Sequence, residues 1–176
     1  NPVLPGFYPD PSVCRAGRDF YLVTSSFAYF PGVPIFHSRD LVHWRQIGHC
    51  LSRASQLPLG DAPFWGGVWA PTLRHHDGVF YMTTTNNHSG GNLIVTASAP
   101  EGPWSEPIYV PQVGIDPSLF FDEDGSAIYT TAHQGAFQSR IDITTGELLS
   151  EPKVVWRATR GQHPEARVSL RRGVQR

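Results

Sequence analysis

The sequence predicts an all-β chain assembled from repeated four-stranded units, and three observations carry that prediction. First, "DPSVCRAGRDFYLVTSS" (10–26), "APTLRHHDGVFYMTTT" (70–85) and "DPSLFFDEDGSAIYTTA" (116–132) share one grammar. Each has an acidic or small residue, then Pro, Ser or Thr, a short apolar strand, a polar turn containing Gly, and a second strand bearing Tyr and Thr. Second, 17 glycines and 16 prolines suit short strands joined by tight turns rather than helices. Third, no stretch of useful length repeats its apolar residues at the helical period.

Taken in order, the first two elements of each unit form a hairpin. Dipeptides such as Asp77-Gly78 and Asp124-Gly125 are favoured in tight strand connections. The β-branched and aromatic residues of the second strand suit a packed sheet. A further segment follows each hairpin: "VPIFHSRDLVHWRQIG" (33–48), "NLIVTASAPEGPWSEPIYV" (92–110) and "AFQSRIDITTGELLSEPKVV" (136–155). Trp44 and Trp104 recur near strand ends in these segments and read as core. Pro11, Pro71 and Pro117 stand 60 and 46 residues apart, an interval and strand count that mark β-propeller blades. A β-sandwich of similar hairpins is the competing architecture, and the shared strand order of three units weighs against it.

In a propeller, the residues that open each innermost strand gather at one mouth of the central channel. Asp10 and Asp116, both followed by Pro and Ser, are therefore expected to converge there, with Asp116 largely buried. A lone Asp-Pro would read as a simple turn, and the proline pushes the preceding residue toward an extended conformation. About one unit further on, "GQHPEARV" (161–168) supplies Glu165. Two carboxyl groups across a pocket can serve as general acid and general base in acetal hydrolysis. A third nearby can raise the acid's pKa through like-charge repulsion. Other acids, such as Asp40, Asp122 and Glu123, fall in polar turns and read as solvated.

Composition narrows the partners. The formal net charge is −1, and no basic stripe points to nucleic acid or an anionic membrane surface. Cys14 and Cys50 form no CxxC pair and read as buried free thiols. No apolar run reaches membrane-spanning length and no signal peptide opens the chain, so localisation stays open. The eight histidines are scattered, and neighbours such as His75 and His76 face opposite ways on a strand. No metal or other cofactor is expected.

The motifs "NPVLPGFYPDPSV", "SSFAYFPGVPIFHSRDLVHW", "GVWAPTLRHHDGVFYM", "GPWSEPIYV" and "GIDPSLFFDEDG" together resemble the N-terminal part of a family 43 glycoside hydrolase, of the β-xylosidase and α-L-arabinofuranosidase kind. The resemblance covers about residues 1–166. It implies a five-bladed β-propeller and cleavage of terminal β-1,4-xylosyl or α-L-arabinofuranosyl linkages with inversion. By the same resemblance Asp10 is the general base, Asp116 tunes and orients the acid, and Glu165 is the general acid. Phe27, Trp69 and Ala70 match positions that bind the sugar, whose apolar C–H face suits aromatic rings. The expected partner is a xylo-oligosaccharide or arabinoside.

Two departures bear on this reading. A five-bladed propeller needs roughly 250–300 residues, so residues 1–166 read as an incomplete catalytic propeller of about three blades and the start of a fourth. Residues 167–176, "RVSLRRGVQR", read as an atypical Arg-rich tail in place of an apolar inner strand, and as a sign of truncation or frame disruption. An open edge would favour self-association and leave Glu165 poorly supported. An inactive or sugar-binding propeller fragment is therefore the alternative. A fructosidase-like propeller hydrolase fits less well, because its Asn-Asp-Pro-Asn and Glu-Cys motifs are absent.

Overall fold

The computed structural model describes residues 3–157, which form twelve β-strands and no helix. The first blade holds β1 (Ser12–Ala16), β2 (Asp19–Val23), β3 (Gly32–Ser38) and β4 (Arg45–Leu51). The second holds β5 (Val68–His76), β6 (Val79–Asn86), β7 (Gly91–Ala97) and β8 (Ile108–Val110). The third holds β9 (Ile115–Phe121), β10 (Ala127–Ala132), β11 (Ala136–Ile141) and β12 (Lys153–Trp156). Each blade is an antiparallel sheet whose spatial order follows the chain. The propeller reading and its strand grammar are thus borne out. Glu165 and the Arg-rich segment 167–176 lie outside the described residues.

Local chemistry explains the elements. The β5–β6 hairpin turns at Asp77 and Gly78, with φ of 48° and 78°, the left-handed pair that a type I′ connection requires. In β1, Ser12 and Cys14 are buried while Val13 and Arg15 are exposed, the alternation of a sheet covered on one face. The central blade differs. In β7, Leu93, Ile94 and Val95 are successively buried, because blades one and three cover both of its faces.

Two apolar clusters follow from this stacking. Val23, Ile35, Leu73, Met82, Val95 and Trp104 pack between the first two blades. Ile94, Leu119, Tyr129 and Ile141 pack between the second and third. Trp104, 4% exposed, belongs to the core as its strand-end position suggests. Trp44 is half-buried and its indole donates locally to the Leu41 carbonyl at 3.1 Å. Both cysteines are buried and free.

Polar bonds set the blades in register. The backbone N–H of Leu73 on β5 donates to Ser12 Oγ on β1 at 3.1 Å. On the other side of β5, Arg74 donates to the Leu119 carbonyl at 2.9 Å and to Ser118 Oγ at 3.2 Å. The serine of each Asp-Pro-Ser triplet is therefore an inter-blade contact. These bonds place the opening ends of β1, β5 and β9 at one level.

The triplets themselves correct one expectation. The residues before the prolines are left-handed, not extended: φ is 54° at Asp10, 24° at Ala70 and 53° at Asp116. The cause is a bulge repeated in every blade. Trp69 faces Thr85 and Thr72 faces Thr83, while Ile115 faces Ala132 and Ser118 faces Thr130. Ser12 faces Val23, and Ser25 N donates to the Pro9 carbonyl at 3.0 Å. In each case three steps on the inner strand match two on its partner. Proline suits the extra position because it has no N–H to leave unpaired, and a bulge turns the residue before it off the regular pleat.

Candidate active site

The bulges decide what the inner strands present. Asp10 and Asp116 occupy the same bulge position in blades one and three, on strands that flank β5 on either side. Asp10 is exposed, and Asp116 is only half-buried rather than largely buried as expected. The Ser25 hydroxyl donates to Asp10 Oδ2 at 2.6 Å, fixing the carboxylate's orientation from the end of β2. Ser25 was not singled out from the sequence. The alignment of "VTS" (23–25) with "TTT" (83–85) across the first two units held the signal, since Ser25 and Thr85 face matching bulges.

Ala70 holds the equivalent bulge position in blade two, on the strand that β1 and β9 flank, and its methyl group adds no charge there.

Phe27 and Trp69 are brought together by a backbone bridge. Phe27 N donates to the Val68 carbonyl at 2.9 Å, and Val68 N returns a bond to the Phe27 carbonyl at 3.1 Å. Phe27 has φ of 48°, a conformation that is uncommon for an aromatic residue and is held here by that paired bridge. Both rings are half-buried. The Trp69 indole donates to the Trp65 carbonyl at 2.9 Å. Phe7, a further exposed ring, leans on Phe27 with centroids 5.8 Å apart.

Other candidates resolve into structural roles. Asp40 organises its own turn, accepting from Val42 N at 2.9 Å, from His43 N at 2.8 Å and from the His43 ring at 2.7 Å. These bonds hold its carboxyl well below the usual range. His75 packs on Phe80 and His76 stacks on Phe121, so the two rings diverge. No cluster of His, Cys, Asp or Glu suited to a metal occurs among the described residues. A concavity of about 470 Å³ lined by Asp124, Arg140 and Leu149 lies beside the β9–β10 turn, at the end of blade three opposite Asp116.

The chain matches the model of "Glycosyl hydrolases family 43" over residues 1–173. It is 64% identical over 133 residues to a xylosidase/arabinosidase of Butyrivibrio fibrisolvens, covering 73% of this chain and 25% of that protein. It is 46% identical over 170 residues to a non-reducing end α-L-arabinofuranosidase of Bacteroides ovatus, covering 94% of this chain and 32% of that one. Among solved structures, a xylan β-1,4-xylosidase from Bacillus halodurans superposes with a TM-score of 0.86 at 42% identity, covering 92% of this chain and 34% of that one. The chain thus spans a quarter to a third of the length of these relatives.

Proposed function

Since this chain belongs to glycosyl hydrolases family 43, we propose that it carries the acid-bearing part of a hydrolase that removes terminal β-xylosyl or α-L-arabinofuranosyl units with inversion. The observation that carries the reading is the identical left-handed bulge that presents Asp10 and Asp116 from blades one and three. A propeller needs no carboxylate at a bulge to fold, as Ala70 demonstrates in blade two.

Asp10, oriented by Ser25, takes the proton of the attacking water. Asp116 holds negative charge near the general acid, for which Glu165 is the candidate. Phe27 and Trp69 offer their faces to the C–H surface of the terminal sugar, and Ala70 leaves room for it. Inversion requires the base and acid to stand about 6.5–9.5 Å apart, so that water enters between the base and the anomeric carbon.

The test is hydrolysis of 4-nitrophenyl β-D-xylopyranoside and 4-nitrophenyl α-L-arabinofuranoside by the 176-residue chain. Calorimetric binding of xylose and arabinose is measured alongside. Turnover that disappears in Asp10→Ala supports the reading. A chain that neither turns over nor binds either sugar overturns it. Sugar binding without turnover favours the non-catalytic alternative.

A further inference from the structure

We propose that Phe64 and Trp65 form a stacking platform for the pyranose ring on the leaving-group side of the scissile bond. The inference rests on the glycosidase reading above and extends it to a second sugar subsite.

Phe64 and Trp65 are 80% and 56% exposed, and their rings add little to either apolar cluster. They occupy the centre of a turn closed by Gly66 N donating to the Pro63 carbonyl at 2.7 Å. Two large aromatic rings in adjacent exposed turn positions are unusual, since polar residues and glycine serve such turns at lower cost.

The turn is also firmly built. The Trp69 indole holds the Trp65 carbonyl at 2.9 Å. Asn87 N donates to the Gly67 carbonyl at 2.9 Å, and Asn86 Nδ2 reaches the Pro58 carbonyl at 3.2 Å. Gly67 has φ of 86°, and a Cβ there would collide with the Phe27 carbonyl. The loop is thereby clamped to both aromatic residues assigned to the terminal sugar. A backbone held in place this way fixes where the two rings start from, so little loop ordering is lost on binding.

The occupant follows from the reaction. An enzyme that removes terminal units has further sugar only on the leaving-group side. For xylosides and for arabinose-substituted xylan alike, that neighbour is a xylopyranose, whose C–H face complements an aromatic ring.

The experiment titrates xylose, arabinose and xylotriose into the 176-residue chain by calorimetry, comparing wild type with Trp65→Ala, Phe64→Ala and Trp65→Phe. Thermal unfolding confirms that each variant is folded; should Trp65→Ala fail that check, Phe64→Ala and Trp65→Phe carry the comparison. Trp65→Ala should weaken xylotriose about tenfold, or about 1.4 kcal/mol, with monosaccharide affinity unchanged and Trp65→Phe restoring most of the loss. Unchanged xylotriose affinity in the folded variants overturns the proposal while leaving the glycosidase reading intact. Equal losses for monosaccharide and xylotriose also overturn it, because the rings would then belong to the terminal-sugar site. A wild type that binds none of the three sugars and turns over neither nitrophenyl glycoside removes both readings together. One that turns them over but binds no xylotriose overturns the platform alone.

Discussion

The Ser25 hydroxyl and the Asp10 carboxylate meet at 2.6 Å, joining the end of β2 to the bulge that opens β1. The bond is short enough to fix the carboxylate's direction, and its donor is a small side chain on a buried backbone. A residue that acts through Asp10 should affect turnover more than binding. Ser25→Ala is expected to lower kcat about tenfold, the order of effect seen when a supporting hydrogen bond is lost, with KM little changed. Ser25→Thr should recover much of the loss. A fall confined to KM, or no rescue by Thr, would mark Ser25 as structural only.

Asp116 separates charge from conformation. Asn tolerates the left-handed region about as well as Asp, whereas a β-branched residue does not. Asp116→Asn should therefore retain stability and lose about 10²-fold or more in turnover. Asp116→Val should lose turnover and also about 1–2 kcal/mol of stability. Urea melts of the two variants check this, and equal stability would show that the bulge imposes no steric demand at this position.

Arg74 reaches from β5 to the Leu119 carbonyl and Ser118 Oγ on β9 while also bonding its own strand at Leu73. Removing a charged donor from this partly buried junction should cost about 1.5–3 kcal/mol in Arg74→Ala. Arg74→Lys should recover little, because a single ammonium cannot reproduce the planar fork. Hydrogen exchange in β9 should rise in both variants, and unaltered protection there would show that Arg74 does not couple the blades.

Burial pushes the Cys14 thiol up to about 12, with Arg74 pulling the other way, and raises Cys50 well above the ordinary thiol value. The folded chain keeps both protons, while the unfolded chain begins to release them near the ordinary thiol value of 9.0. This stabilisation is complete below pH 9.0 and is lost as pH rises toward the folded value of about 12. Cys14→Ser should flatten part of the alkaline decline in unfolding free energy. At pH 8 neither thiol should react with a disulfide reagent until urea unfolds the chain. Rapid labelling of the native protein would contradict the burial of both.

Asp19 accepts from His37 at 2.7 Å and from Arg39 at 3.0 Å. The His37 bond first, and then Arg39, hold its carboxyl below the ordinary value of 3.8. The contribution is present above that value and is lost as pH falls through the lower folded one. Its size is small because the cluster is open to solvent. Asp19→Asn should leave stability at pH 7 nearly unchanged and slightly flatten the acid limb below pH 4 (roughly one ordinary carboxylate titration). A large loss at neutral pH would show that the cluster organises β2 and β3 more than its exposure implies.

Much was legible from the order of residue types alone. Alternating apolar positions, Gly-containing turns and the recurring Pro-Ser or Pro-Thr pairs are local signals, so the strands, the hairpins and the threefold repeat could be read along the chain. Asp10 and Asp116 could be picked out as equivalent for the same reason. Their left-handed backbone could not, because the local effect of proline favours an extended predecessor and only pairing with β2 and β10 forces the bulge. The roles of Arg74, Ser25 and the Trp65 carbonyl were equally hidden, since each depends on a partner brought close by blade packing or cross-strand register. Sequence order thus determined which elements form. Tertiary structure decided where the acids point, because a side chain's direction at a bulge is set by the neighbouring strand and not by the residues beside it.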